Sequence, residues 1–205
     1  MDVMIGQILE QFLLFCISIV ANGLSAMAGG GAGLLQFPAL LFLGLSFSVA
    51  LATHKVASVA LGVGASVRHM KERSLSWKFA GHILLFGLPG VVLGALVILH
   101  VPDDLAKRAL GFLTISLGLY SVFKPELGMQ AKPKEFQNRQ WLIGGGVLFL
   151  IGVLNGSITS GTGLFVTLWL VMWYGLDYQR AVAYTLILVG LVWNGVGAIT
   201  LGVQT

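Results

Sequence analysis

Long apolar runs, separated by short polar or basic stretches, make up most of the chain. Most of these runs approach or exceed the about 20 residues that cross a hydrocarbon core as a helix. They cover residues 8–28, 49–67, 79–99, 105–123, 141–158 and 180–201. Two shorter segments, 34–45 and 164–174, do not cross comfortably, so each is a half-helix, an arm of a re-entrant hairpin or a thin span. The pattern predicts an all-α, polytopic transmembrane protein with a single membrane domain over 1–205.

The composition agrees with a membrane-embedded chain. Hydrophobic residues make up 57% of it and charged residues 10%, whereas soluble domains carry about 25% charged residues. Met1-Asp2-Val3 lacks the basic region of a cleaved signal peptide, so the first run is expected to stay as a span. Cys16 is the lone cysteine, which excludes an internal disulfide. The net charge of +4 lies in loops, which fits a positive-inside bias better than nucleic-acid binding.

Two basic stretches set the expected orientation. Residues 68–78 and the longest polar loop, 124–139, carry several Lys and Arg residues, and such loops favour the cytoplasmic side. Two predicted crossings separate them, which is consistent with one orientation. If each short segment crosses, three crossings precede the first basic loop and the N-terminus lies outside. The chain is therefore expected to be a multi-pass protein of the cell (inner) membrane.

Two glycine-rich breaks precede the two short segments. The first is Ala28-Gly-Gly-Gly-Ala-Gly33 and the second is Gly161-Thr-Gly163. Irregular backbone at membrane depth is tolerated only where protein buries it or water lines it. A helix that begins there has unpaired N–H groups that suit an anion. The alternative is close helix packing through small residues, but the same break occurs twice, which favours a binding site.

The sequence also predicts an internal repeat. Gly44-Leu-Ser-Phe-Ser-Val-Ala-Leu-Ala and Gly175-Leu-Asp-Tyr-Gln-Arg-Ala-Val-Ala share the pattern Gly-Leu-x-aromatic-x-x-Ala-x-Ala at an offset of 131 (175 − 44). Repeat 1 is expected over about 8–123, with its broken helix near 28–33. Repeat 2 is expected over about 140–205, with its broken helix near 159–163, after the inter-repeat loop 124–139.

The two predicted repeats differ in length. If each short segment crosses, each unit holds five crossings and the second sits inverted, as in many transporters. Repeat 2 lacks counterparts of 79–99 and 105–123. The expectation is therefore either a truncated form or a partner subunit, for example a second copy in a homo-oligomer, that supplies this surface.

These motifs resemble a known family. Ala28-Gly-Gly-Gly-Ala-Gly-Leu-Leu-Gln-Phe-Pro-Ala-Leu and Ala50-Leu-Ala-Thr-His-Lys-Val-Ala-Ser58 are similar to the TauE/SafE family of sulfite exporters, also called 4-toluene sulfonate uptake permeases. Gly161-Thr-Gly163 with Gly175-Leu resembles the second repeat of that family. His54 stands where the Thr-x-Lys element of similar members is expected to have Asn. The resemblance covers essentially the whole chain and implies transport of sulfur-containing oxyanions or organosulfonates.

Lys55 is the leading candidate for a substrate contact. An ionisable side chain inside a span usually faces a cavity or a partner, and an ammonium group suits an oxyanion. The alternative is that Lys55 extends its aliphatic stem to a membrane surface. His54 is either a group of the site or a core histidine bonded to a carbonyl. The predicted substrate-binding residues are Asn22, Ser25, Gly30, Gly31, Gly33, Thr53, His54, Lys55, Asn155, Gly161, Thr162, Gly163, Thr185 and Asn194.

The predicted function is efflux of a small sulfur-containing anion by alternating access around the paired breaks. An anion leaving a cell that is negative inside gains about 2.3 kcal/mol per charge per 100 mV, so export needs no coupling ion. No metal-ligand spacing or nucleophile–base pair is evident, so neither an enzyme nor a cofactor is expected. The alternatives are a non-transporting membrane assembly subunit and a transporter of an unrelated small anion. The expected partners are a small anionic substrate and the lipid bilayer.

Overall fold

The computed structural model describes residues 2–28, 30–72, 75–123 and 138–204, and these residues form eight helices. The helices are α1 (Asp2–Ala28), α2 (Ala32–Phe42), α3 (Phe47–Glu72), α4 (Trp77–Ile98), α5 (Asp103–Phe123), α6 (Asn138–Ser157), α7 (Thr162–Met172) and α8 (178–204). The predicted all-α class is confirmed. The predicted loop 124–139 lies outside the described residues, except for 138–139, which begin α6.

Within the described part of the chain, four helices are long and apolar enough to cross a membrane. They are Phe47–Arg68 in α3, Trp77–Ile98 in α4, Asn138–Ser157 in α6 and Tyr178–Val203 in α8. The predicted spans at 8–28 and 105–123 are helical but are not in this set. The apolar part of α1 is the shorter Gln11–Met27, and α5 begins with the charged residues Asp103, Asp104, Lys107 and Arg108.

α1 and α2 form a helical hairpin, called hairpin 1 below. Gln36 in α2 donates through Nε2 to Ser18 Oγ (2.7 Å), and Asn22 donates through Nδ2 to Gln36 Oε1 (3.3 Å). α2 therefore runs back alongside α1. Its 11 residues extend about 16 Å, about half of a 30 Å hydrocarbon core. Of the three readings of the short segment, the structure adopts a half-helix that forms one arm of a hairpin.

α6 and α7 form a second hairpin of the same design, called hairpin 2. Trp169 in α7 donates through Nε1 to the carbonyl oxygen of Gly144 (3.2 Å), near the start of α6. α7 also has 11 residues. Each short helix begins after a glycine in the left-handed region, with φ of 95° at Gly31 and 72° at Gly161. Glycine adopts this conformation without the strain that a Cβ causes.

The hairpins enter from opposite ends of the molecule. Hairpin 1 opens towards the C-terminal end of α4, where Phe47 N donates to Asp103 Oδ2 (3.1 Å). Hairpin 2 opens towards the N-terminal end of α4, where the rings of Phe79 and Tyr174 lie 4.9 Å apart. The two tips meet in between, and there Ser160 Oγ donates to the carbonyl oxygen of Gly33 (3.0 Å).

Two apolar clusters support the hairpins. One packs α4, α6, α7 and α8 together and includes the fully buried Ile83, Leu170 and Trp193. The other joins α2, α3, the end of α4, α5 and the end of α8, and it includes Phe37 and Leu201. Each short helix thus has its own cluster, which fixes the position of its tip.

Glycines allow α4 and α6 to pack with their backbones in contact. A Cβ added at Gly94 would collide with the carbonyl oxygen of Val153, and one at Gly156 with that of Val91. Small residues at such interfaces let membrane helices approach closely enough for dispersion contacts to stabilise them. The sequence analysis considered close helix packing only for the glycines at the two breaks, but in the structure glycines within the spans also allow helices to pack closely.

Gly94→Ala is expected to destabilise the protein by about 1–3 kcal/mol, because the methyl group overpacks the α4–α6 contact. The matched control is Gly81→Ala on the same helix, where nothing lies within 4 Å of the added Cβ. The thermal midpoint in detergent should fall for Gly94→Ala alone. Equal midpoints for the two variants would contradict the close contact.

Candidate functional site

A small cavity lies where the two hairpin tips meet the middle of α3 and α8, and it is called the central pocket below. Its volume is about 40 Å³. It receives residues from six helices, α1, α2, α3, α6, α7 and α8, and from both glycine breaks. Its lining consists of Ser25, Gly30, Gly31, Ala32, Gly33, His54, Ser58, Leu61, Asn155, Thr159, Gly161, Thr162, Gly163, Thr185, Leu186, Val189, Gly190 and Asn194.

The predicted site residues converge on this pocket, except for Asn22, Thr53 and Lys55. Asn22 lies within hairpin 1, where its Nδ2 also donates to the carbonyl oxygen of Ser18 (2.8 Å). Thr53 is half-buried on α3 outside the pocket. Lys55 lies behind the pocket wall. That the converging residues bind a ligand stays a prediction.

Several lining residues escaped the sequence reasoning. Ser58 lies one turn after His54, and Val189 lies one turn after Thr185. Helical spacing from those predicted residues could have found both, because positions i and i+4 share a face. Thr159 is one of the polar residues beside the second break, although it was not among the predicted site residues, whereas Ala32, Leu61, Leu186 and Gly190 had no polar signal in the sequence. The missed residues are Ala32, Ser58, Leu61, Thr159, Leu186, Val189 and Gly190.

Lys55 is fully buried and surrounded by oxygen acceptors. Its Nζ donates to the carbonyl oxygen of Asn155 (2.8 Å), and it lies 3.4 Å from Asn155 Oδ1, Thr159 Oγ1 and Asn194 Oδ1. The alternative in which Lys55 reaches a membrane surface is wrong, because the side chain is 0% exposed. Among the described residues no carboxylate forms an ion pair with Lys55. The ammonium group therefore joins α3 to α6 and α8 and leaves a positive charge beside the pocket.

His54 faces the pocket from the same turn of α3. Its Nδ1 lies 2.8 Å from Gln36 Oε1, and its Nε2 lies 3.3 Å from Ser58 Oγ. The Gln36 amide donates to Ser18, so its oxygen is an acceptor and Nδ1 of His54 carries the hydrogen. The bond runs to a side-chain carbonyl oxygen, which fits the interpretation of His54 as a bonded core histidine. The ring still forms part of the pocket wall.

The polar groups of the tip of hairpin 2 are held by each other. Asn155 Nδ2 donates to Thr162 Oγ1 (2.9 Å), and Thr162 Oγ1 donates to the carbonyl oxygen of Thr159 (2.7 Å). Thr159 has a φ of 57°, which is an outlier for a β-branched residue. Backbone strain of this kind persists where surrounding contacts fix it, and it concentrates at functional sites.

Unpaired donors remain at the pocket. Within the described residues the backbone N–H groups of Gly163, which lines the pocket, and of the next residue, Leu164, donate to no backbone acceptor. The Oδ1 of Asn194 accepts from Lys55, and its Nδ2 has no hydrogen-bond partner among the described residues. The start of a helix carries partial positive charge, so these donors and the Lys55 ammonium present the same sign to a ligand.

The middle of α8 has a π-helical geometry that the sequence did not predict. The π-helical segment runs over Thr185–Trp193, between α-helical Tyr178–Tyr184 and Asn194–Gln204. It carries the pocket residues Thr185, Leu186, Val189 and Gly190. The wider turn of a π-helix changes which residues share a face, and such segments often occur at functional sites.

Comparison with known proteins decides the family. A family model described as sulfite exporter TauE/SafE matches residues 14–205. The chain belongs to the TauE/SafE family. It is therefore a multi-pass membrane protein of a transporter family, not an enzyme, and the resemblance seen in the sequence motifs is confirmed.

Individual TauE/SafE relatives are longer than this chain. A probable membrane transporter protein of Haemophilus influenzae is 32% identical over 172 residues, which cover 84% of this chain and 66% of the relative. The probable membrane transporter protein YfcA of Escherichia coli K12 is 29% identical over 177 residues, covering 86% of this chain and 64% of the relative. No solved structure matches this TauE/SafE chain. The chain thus spans about two thirds of the length of these relatives.

Proposed function

We propose that this chain moves a small sulfur-containing anion of the size of sulfite across the membrane and binds it in the central pocket. The supporting observation is that backbone and amide donors face one small cavity, and that the buried Lys55 ammonium lies directly behind its wall, bonded to the pocket residue Asn155. Lys55 has no described carboxylate partner, so the anion itself would neutralise its charge. A buried charge without such a partner is costly, which favours occupation of the pocket by an anion.

The size of the central pocket narrows the cargo. A volume of about 40 Å³ accommodates about three water molecules at 10–15 Å³ each. A pyramidal oxyanion with four heavy atoms is close to this size, whereas an aryl sulfonate is much larger. Among sulfur anions we therefore favour sulfite over the larger organosulfonates.

The arrangement of the hairpins suggests how the pocket alternates between the two sides. Hairpins 1 and 2 have short arms of equal length and enter from opposite ends. We propose that they are the two halves of an inverted repeat, as the offset of 131 between Gly44 and Gly175 indicated. In such transporters the site lies where broken helices meet, and one unit rocks against the other.

The direction of transport follows from charge. We place the 68–78 end of the molecule in the cytoplasm, because Arg68, Lys78 and Arg139 lie at or near that end and basic ends favour the cytoplasm. An anion leaving a negative interior then moves down the potential by about 2.3 kcal/mol per charge per 100 mV. Efflux in the inner membrane accordingly needs no second ion.

Reconstituted sulfite flux tests the proposal. Proteoliposomes loaded with sulfite are expected to release it faster when the interior is made negative with a potassium gradient and valinomycin. Flux that ignores the imposed potential would contradict electrogenic efflux. If another small anion is transported in preference to sulfite, that anion would be the cargo. The absence of flux for every anion tested would instead support a non-transporting assembly subunit.

Thr185→Val is expected to raise the KM for sulfite about three- to tenfold, because loss of one hydrogen-bonding group costs about 0.5–1.5 kcal/mol. Thr185 lines the central pocket, and its Oγ1 accepts from Thr167 (2.8 Å). Thr200→Val on the same helix is the control, because Thr200 donates to Val196 O (2.8 Å) within its own helix and lies outside the pocket. The measurement is sulfite flux against concentration. An equal change in KM for both variants would show that Thr185 does not contact the substrate.

A further inference from the structure

A second and much larger cavity lies next to the central pocket, at the 68–78 end of the molecule. Its volume is about 900 Å³. It opens between the C-terminal end of α1, the second half of α3 and the start of α8. Gly64, Ala65 and Arg68 line it from α3, and Tyr178, Arg180 and Val182 line it from α8.

Two leucines separate this cavity from the central pocket. Leu61 in α3 and Leu186 in the π-helical segment of α8 line both spaces. Leu186 is only 6% exposed. The cavities are therefore adjacent, and the only described residues that they share are these two apolar side chains.

The outer rim of the large cavity carries excess positive charge. Arg68 and Arg180 line it together with one acidic residue, Asp177. The Arg180 Nε lies 3.3 Å from Asp177 Oδ2, while Arg68 forms no ion pair with a described residue. A cavity with one sign of charge and apolar walls focuses the field and raises the local concentration of the opposite ion.

We propose that the large cavity is the vestibule through which an anion moves between the 68–78 side and the central pocket, and that Leu61 and Leu186 form its gate. Arg68 attracts the anion to the vestibule. The leucines close the pocket behind it, so that the pocket is never open to both sides at once. The anionic cargo rests on the proposed function, whereas the vestibule and its gate are tested below without any cargo.

Labelling of single cysteines tests the vestibule. In a Cys16→Ser background, Gly64→Cys places a thiol in the cavity, where nothing lies within 4 Å of the added Cβ. The neighbouring Val63→Cys is the control, because Val63 is 49% exposed and does not line the cavity. We expect the anionic, membrane-impermeant sulfonatoethyl methanethiosulfonate to label Gly64→Cys from the 68–78 side only, and Val63→Cys from neither side. Equal labelling of the two positions would overturn the vestibule.

The gate is tested by labelling a cysteine in the central pocket, beyond the two leucines. Ser58→Cys places a thiol in the central pocket, and its labelling from the 68–78 side should be at least about tenfold slower than that of Gly64→Cys, because it waits for a minor open state. Leu186→Ala or Leu61→Ala should remove most of that difference. Leu188→Ala is the control, since Leu188 is buried in the α8 core and lines neither cavity. Acceleration by Leu188→Ala as large as by Leu186→Ala would overturn the gate.

The charge of the vestibule has its own readout. Gly64→Cys is labelled with the anionic reagent and, separately, with the cationic trimethylammonioethyl methanethiosulfonate, and each rate is normalised to that of a free thiol. The ratio of the anionic rate to the cationic rate should fall about tenfold with Arg68→Gln at low salt. An unchanged ratio would overturn the role of Arg68. None of these rates depends on transport, so a failed flux assay would refute the proposed function and leave the vestibule standing.

Discussion

Lys55→Met is expected to abolish sulfite transport. A cation a few ångströms from a bound anion contributes roughly 3 kcal/mol at an effective dielectric constant near 20, so its loss should weaken binding by about a hundredfold or more. The substitution also leaves the carbonyl oxygen of Asn155 without the short 2.8 Å bond that Lys55 gives it. An orphaned buried acceptor costs about 1–3 kcal/mol, so the thermal midpoint should fall as well.

Lys55→Met changes both the charge beside the pocket and the packing around residue 55. A second variant, which keeps the lysine but displaces its ammonium group, separates these two effects. Gly197→Ala places its Cβ 2.9 Å from the Lys55 Nζ and 3.1 Å from Cε. The end of the lysine side chain is flexible and can move aside, so the fold should keep most of its stability while the ammonium shifts from its acceptors. The control is Gly195→Ala, whose Cβ meets Val59 Cγ2 at an ordinary 3.8 Å.

The expected pattern is therefore specific. Gly197→Ala should lose most sulfite flux with a smaller fall in the thermal midpoint than Lys55→Met causes, and Gly195→Ala should keep both flux and midpoint. The measurements are flux in proteoliposomes and thermal unfolding in detergent. Retained flux in Lys55→Met, together with a lowered midpoint, would make Lys55 a purely structural link between α3, α6 and α8.

The sequence located the breaks of the backbone well, because their chemistry is local. A glycine cluster within an apolar run is visible without a structure, and Gly31 and Gly161 do begin the two short helices in the left-handed conformation. Most of the predicted polar residues beside the breaks, among them Ser25, Asn155 and Thr162, lie at the central pocket because the two hairpin tips meet there.

The direction of the Lys55 side chain was beyond the sequence. Lys55 and His54 are neighbours on α3, and the composition of that turn favours either residue as a ligand. Successive helical residues point about 100° apart, so only the positions of α6 and α8 decide which one faces the pocket. His54 lines it, whereas Lys55 bonds to Asn155 behind its wall.

The π-helical segment was also beyond the sequence, and it carries three of the missed residues, Leu186, Val189 and Gly190. Thr185–Trp193 reads as an ordinary apolar span. A cluster of leucines and valines does not reveal whether hydrogen bonds run to the fourth or the fifth residue, since both patterns satisfy the backbone. Leu186 and Gly190 line the pocket from this segment, which packs closely against α3 at Gly62.

The contact between the hairpin tips leads to the second large effect, which is expected for Gly30→Ala. A Cβ at Gly30 would lie 2.9 Å from the carbonyl carbon of Gly163 and 3.1 Å from the Leu164 N. Both atoms are backbone, so no side chain can move aside. The φ of 124° at Gly30 is also strained for alanine. The tips should separate, with a loss of stability above about 3 kcal/mol from overpacking and strain together.

The matched control isolates the clash from the strain. Gly44 also has a positive φ, 88°, but nothing lies within 4 Å of its added Cβ. Gly44→Ala should therefore cost only the conformational strain, about 1–2 kcal/mol, and should keep transport. Gly30→Ala should lose transport and a larger share of stability, measured by flux and by thermal unfolding. If the two alanine variants behave alike, the tips do not rely on close contact, and the central pocket would have to be held by Lys55 and its acceptors alone.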